Sequence, residues 1–248
     1  WSSDVCSSDL LICFCFAAFC NAAVEDSTAK RGILVIPYQS GMHLSDADQD
    51  IAAYSEKDLD EIRRKFREGI LRDLQAHLLT VDEVSTLRND HVGQDDNEEQ
   101  YIYHATYLKQ DTIWPVAHPA KDSSIMKRKL SFTKDKKPRP VDKMYMNVGF
   151  YDEGMLADLG RKYNVNLIVF LNELDIKTNA KDCIDLANKI YDRELKLHYS
   201  VFDVSRKQLY GDIAVVHMSS AGNDIDEILL KNVPGLSEYI KASLKNLH

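Results

Sequence analysis

The spacing of apolar residues changes several times along the chain, and each change marks an element. Residues 32–37, GILVIP, form a continuous apolar run rich in β-branched side chains and closed by proline, the pattern of a buried strand. From Leu59 onward Ile62, Phe66, Ile70, Leu71, Leu74 and Leu78 recur at three- and four-residue steps, which gives a helix one apolar face. Ser55, with Asp58 three residues later, is the expected capping box opening that helix. Residues 143–148 alternate like a strand. Asp152 is placed to cap a helix through Met155, Leu156, Leu159 and Tyr163, and residues 165–171 read as a second buried strand. A further helix is expected over 182–191. Leu195, Leu197, Tyr199 and Val201 then alternate with Lys196, His198 and Ser200, the mark of a half-buried strand. Residues 203–208 turn the chain and 209–216 return it as an antiparallel hairpin, followed by helices over 224–231 and 236–247 separated by Pro234 and Gly235. Residues 101–108 fit a short helix or a short strand equally.

Two stretches carry no such period. Residues 89–100 are acidic and polar around Gly93, and read as a loop. Residues 121–143 are basic, with Lys127, Arg128, Lys129, Lys134, Lys136, Lys137 and Arg139 set around Pro138 and Pro140. Together they suggest a polar and basic insertion around 89–143 in a single domain spanning 24–248. The order of elements predicts an α/β or α+β fold, a mixed β-sheet packed by helices with a C-terminal hairpin followed by helices.

The first residues need separate treatment. Residues 1–10, WSSDVCSSDL, match the in-frame translation of a common short-read sequencing adapter and are set aside from fold reasoning. Residues 11–23 are apolar but shorter than the roughly 20 residues a membrane-spanning helix needs. They end in Cys20-Asn21-Ala22, a small-x-small cleavage pattern, and are expected to be a truncated signal peptide. A lipoprotein reading would instead place Cys20 at the new N-terminus, next to an ill-suited Phe19. Of five cysteines, Cys6, Cys13, Cys15 and Cys20 fall in these segments, which leaves Cys183 and no intramolecular disulfide. The expected location is the periplasm or outer membrane. A net charge of −8 argues against nucleic acid as a general partner.

Candidate chemistry is sparse. Asp46, Asp48 and Asp50 alternate as cation ligands can, yet an EF-hand loop starting at Asp46 needs Gly at 51 and Glu at 57, where the chain has Ile51 and Lys57. The structural alternative is that Ser45 caps a short helix with the aspartates in its first turn. None of the eight histidines forms a zinc-binding pair at helical spacing. His198 and His217 are expected to be solvated and not to face one another on the hairpin. Ser219, Ser220, Ala221 and Gly222 make no nucleophile elbow, and Gly149 and Gly154 belong to no phosphate loop. Cys183, beside Asp182 and Asp185, is expected to be a packed and inert thiol in a helix. The basic stretch, with Trp114, Phe132 and Tyr145 nearby, could meet an anionic lipid or glycan surface. No catalytic, cofactor-binding or metal-ligating residue is assigned.

Three segments carry a resemblance. Residues 32–37 as a first strand, Leu159-Gly-Arg-Lys-Tyr-Asn-Val-Asn-Leu-Ile-Val169 as helix to strand, and His198-Tyr-Ser-Val-Phe-Asp-Val204 leading to Gln208-Leu-Tyr-Gly211 are similar to the amino-terminal domain of TolB. They equally resemble its relatives among the curli-export (CsgG-like) and penicillin-binding-protein-activator lipoproteins. Asn164-Val-Asn166 stands where that family prefers Gly-Ala-Asp. The chain also looks like uncharacterised exported proteins of the Bacteroidetes type. The resemblance implies an interaction or assembly module of the envelope with a protein partner, no cofactor and no catalytic residue. The alternative is a hydrolase or metal-dependent enzyme whose site assembles only in three dimensions.

Overall fold

The computed structural model describes residues 32–80, 83–86, 96–113, 144–245 and 247. The adapter-like segment, the expected leader and the basic run over 121–143 lie outside the described residues. The protein is an α/β fold built on one mixed sheet. Its strands are β1 (Gly32–Ile36), β2 (His43–Ser45), β3 (Glu83–Thr86), β6 (Leu167–Asp185), β7 (Ile190–Asp203) and β8 (Gln208–Ser219). Their order is β3-β1-β6-β7-β8, with β2 also alongside β6; a separate antiparallel pair joins β4 (Thr106–Thr112) to β5 (Met144–Phe150). β1 runs parallel to both β3 and β6, whereas β6, β7 and β8 form an antiparallel meander.

Alternation within β1 sends Ile33 and Val35 to one face and Leu34 and Ile36 to the other, and all four are fully buried. On the first face lie α1 (Asp48–Ser55), α2 (Leu59–Leu78), α5 (Ile225–Lys231) and α6 (Val233–Lys245). The second face is covered by α3 (Asp96–His104), α4 (Met155–Tyr163) and β5, through Ile102, Leu156, Leu159 and Val148. No helix of the described residues is long and apolar enough to cross a membrane.

The stripe of α2 is buried as its spacing predicts, except for Leu59 at its start. Its cap differs from expectation. Asp58 is the N-cap, accepting from the Glu61 backbone N–H at 2.7 Å, while Ser55 ends α1. The Ser55 hydroxyl instead bridges the Asn223 carbonyl and the Ile225 N–H. Residues 101–108 supply both alternatives, the end of α3 and the start of β4. The polar loop expected over 89–100 gives way to α3 from Asp96 onward, which sends Ile102 into the core and packs Tyr103 against it. Pro234 and Gly235 do not separate two helices but sit in the first turn of α6, where a missing N–H costs little.

The helix expected over 182–191 is a hairpin tip. β6 runs on to Asp185 and β7 starts at Ile190, so Cys183 is an exposed strand residue, neither packed nor helical. A register shift between Leu171 and Glu173 explains why the strand looked finished at 171. Leu167, Val169 and Leu171 face the first core, and beyond the bulged Asn172 the same core receives Leu174 and Ile176. One extra residue reverses the alternation.

Close approach fixes one glycine at the start of β1. A Cβ on Gly32 would lie 2.6 Å from the Asn164 carbonyl oxygen and 2.8 Å from the Val165 Cα, both backbone atoms that cannot swing aside. Gly32→Ala is expected to lower stability by about 1–3 kcal/mol, read as a lower denaturation midpoint at unchanged slope.

Candidate functional site

Strands β1 and β2 both pair with β6, β1 against Leu167–Phe170 and β2 against Leu174–Ile176. Between them residues 37–42 leave the sheet. Pro37 stops the ladder because it has no N–H to offer, and Ser40–Met42 make a single 3-10 turn before the chain returns. The excursion lies at the carboxyl end of β1. From this strand the chain passes by α2 to β3 on one side and later, by α4, to β6 on the other, with α2 and α3 on opposite faces. In α/β sheets such a switch point opens a crevice outside the strand ends.

A buried polar chain lines the inner wall. The Tyr38 hydroxyl approaches His43 Nδ1 at 3.5 Å, His43 Nε2 donates to Asp48 Oδ1 at 3.0 Å, and Arg63 Nε donates to Asp48 Oδ2 at 3.0 Å. Burial works against ionisation of Asp48, but the bonds from His43 and Arg63 outweigh it and hold its carboxyl below the usual range. Burial pushes the Tyr38 phenol well above its ordinary value, so it stays protonated.

The outer wall joins the two helical layers. Arg67 of α2 donates from Nε to the Tyr38 carbonyl at 2.9 Å, and from Nη2 to Glu99 and to the Tyr103 hydroxyl of α3. Tyr103 in turn donates to the Pro37 carbonyl at 2.8 Å. Two neighbouring hollows result, both bordered by Ser40 and Arg67. The first, of about 410 Å³, reaches Gln39, Gly41, Glu99 and Gln100; the second, of about 340 Å³, reaches His43, Arg63 and Arg64. Glu99 is 8% exposed, and its Oε2 has no hydrogen-bond partner among the described residues. An acceptor shut away in this fashion costs about 1–3 kcal/mol, so the first hollow is chemically incomplete.

The aspartates singled out from the sequence do not converge on a cation. Asp46 accepts from the Thr178 backbone N–H at 2.9 Å and from its hydroxyl at 3.0 Å, pinning β2 to β6. Asp48 belongs to the buried chain, and Asp50 lies 3.6 Å from Arg193. Asp48 and Asp50 do occupy the first turn of α1, as the structural alternative has it, but Ser45 is not the cap. Its hydroxyl accepts from the Ala47 N–H, and Ala47 itself takes the N-cap position.

His198 is not solvated. It is 9% exposed beneath β5, and its Nδ1 accepts the Met146 N–H at 2.8 Å. His217 is exposed and pairs across the strands with Glu194, whereas His198 pairs with Ile213, so the two histidines do not face each other. Asp192, Glu194 and His217 bring ligand-type atoms within 4.8 Å of one another, but Asp192 accepts from His217 at 2.8 Å and Glu194 is bound to Lys196 at 2.5 Å. Ser219 ends β8 and Gly222 lies in the loop after it, where the Gly222 N–H donates to the Ser219 carbonyl at 3.1 Å and closes a turn. Trp114 and Phe132 lie outside the described residues. Tyr145 is buried against Gly211, with its hydroxyl accepting from Gln208 at 2.5 Å.

The residues that line the crevice, Ser40, Arg63, Arg64, Arg67, Glu99 and Tyr103, belong to no motif. Arginine at 63, 64 and 67 on the first turns of a helix following a proline-closed strand was the available signal. No protein-family model matches the chain, and no curated protein matches it.

Proposed function

We propose that the protein is an exported interaction module of the bacterial envelope, periplasmic or outer-membrane-facing, which holds a ligand in the crevice at the carboxyl end of β1 without transforming it. The observation that carries this reading is the division of labour among the polar groups there. The groups of the inner wall suited to proton transfer are closed in on themselves, and Glu99 is tied through one carboxylate oxygen to Arg67. Tyr38 is buried and protonated, and His43 is engaged at both ring nitrogens by Tyr38 and Asp48. A phenol in that state is a poor base, and an imidazole occupied on both sides has no free position for a substrate. The groups bordering the second hollow include the donors Ser40, Arg63 and Arg64 beside the carboxylate of Asp60, a set suited to recognition. The leader-like segment and the resemblance to envelope modules point the same way.

A melting-temperature screen of the purified protein against envelope-derived small molecules tests the proposal. A stabilising ligand is expected that the protein leaves chemically unchanged. Arg64→Glu, at an exposed position, is expected to abolish the shift while moving the ligand-free melting temperature by no more than about 2 °C. Turnover of that ligand, lost in His43→Gln, would make the protein an enzyme and end the proposal.

A further inference from the structure

Resting on the reading of this crevice as a binding site, we infer that its ligand is a small zwitterion, an amino acid or the end of a short peptide, with its anionic group on Arg63 and Arg64 and its ammonium on Glu99. The two hollows differ in what they lack. In the second, Arg63 uses Nε on Asp48, and among the described residues both of its Nη nitrogens have no partner. Among the described residues Arg64 is engaged only through Nη1, with Glu68 at 3.3 Å. Both arginines line the second hollow together with Asp60, and an open guanidinium edge there matches the paired oxygens of a carboxylate or phosphate.

In the first hollow the requirement has the opposite sign. Glu99 Oε2 is buried and lacks a donor among the described residues, and Arg67 already serves Glu99, Tyr103 and the Tyr38 carbonyl together. A simple anion would satisfy the arginines and leave this oxygen unmatched. An apolar ligand would satisfy neither. A ligand with an ammonium at one end completes both, and a charge-assisted bond to a carboxylate is the stronger kind. Ser40 and Arg67 border both hollows, so one short molecule can span them. Gly41 keeps the floor of the first hollow bare, since an added Cβ would meet no atom within 4 Å.

Titration calorimetry on the full chain with alanyl-alanine, its N-acetyl form, its C-terminal amide and the doubly blocked form tests the assignment. The free dipeptide is expected to bind, with each single block weakening binding by about tenfold or more. Glu99→Gln should erase discrimination against the N-acetyl form, and Arg64→Gln discrimination against the amide. Gly41→Gln, which fills space without touching the fold, should weaken binding of the free dipeptide at an unchanged melting temperature. Equal binding of the doubly blocked form, or no binding of any of the four, overturns the zwitterion. If another ligand's stabilising shift is then still lost in Arg64→Glu, the crevice remains the binding site and only the ligand class has failed. If Arg64→Glu leaves every such shift intact, the binding-site reading itself fails.

Discussion

Lowering the pH from about 7 to about 4.5 is expected to remove about 2–3 kcal/mol of folding stability through His198 alone. Burial depresses its pKa from the ordinary 6.5 to about 4, with Lys196 and Lys177 reinforcing the shift and Asp175 opposing it. The native state therefore holds His198 neutral while the unfolded chain binds a proton below about pH 6.5. The contribution is complete above that pH and disappears as the pH falls toward the folded value. The geometry gives the same sign, because protonating Nδ1 would remove the acceptor for the Met146 N–H and release β5 from β7. Glu173, 3.7 Å from His198, acts in reverse, since burial raises its pKa and the native state favours its protonated form. The comparison should thus be made as a difference. Denaturant titrations at several pH values on the native sequence and on His198→Gln isolate the histidine, and parallel pH profiles for the two proteins would refute its role.

Replacing Arg193 is expected to have the largest effect of any single substitution away from the hydrophobic core, about 2–4 kcal/mol for Arg193→Met. This side chain is 1% exposed, yet it lies between three elements. Its Nε donates to the Thr178 hydroxyl at 3.2 Å, its Nη1 donates to Asn223 Oδ1 at 2.8 Å, and its Nη2 lies 3.6 Å from Asp50. Methionine keeps much of the volume but leaves Thr178 and Asn223 without their donor. Asp50→Asn should cost less than about 0.5 kcal/mol, because that carboxylate is well solvated and the pair is long. Urea denaturation of both variants separates hydrogen bonding from ion pairing, and equal losses would mean that charge is the anchor.

What could be read from the sequence follows from the length and regularity of each pattern. Seven apolar positions at helical spacing are enough to place α2, and the alternation of Leu195 through Val201 is enough to place β7 and the return of β8. The distal half of β6 was hidden because Asn172 breaks the two-residue period, and because Asp182, Cys183 and Asp185 on an exposed hairpin imitate a polar helix. The burial of His198 leaves no mark in the hairpin that carries it, because it comes from β5, whose Met146 lies 52 residues earlier. The crevice depends on a salt bridge from Arg67 to Glu99 and on an excursion of the chain after Pro37. Neither leaves a periodic trace, and neither Arg nor Glu is unusual on an amphipathic helix. Only the topology brings them to the end of one strand.

The position of β1 between β3 and β6 also sets the order in which the chain can complete itself. Of the described strands synthesis delivers this one first, but its partner β6 follows roughly 130 residues later. Through that interval five fully apolar or glycine residues have no permanent neighbour on that side. The β6–β7–β8 meander, joined by short local turns, can assemble as soon as it is made, and the waiting strand must then be received at its open edge. Nascent chains halted before residue 167 should therefore present Gly32–Ile36 to holding chaperones, which dissociate once the meander has emerged.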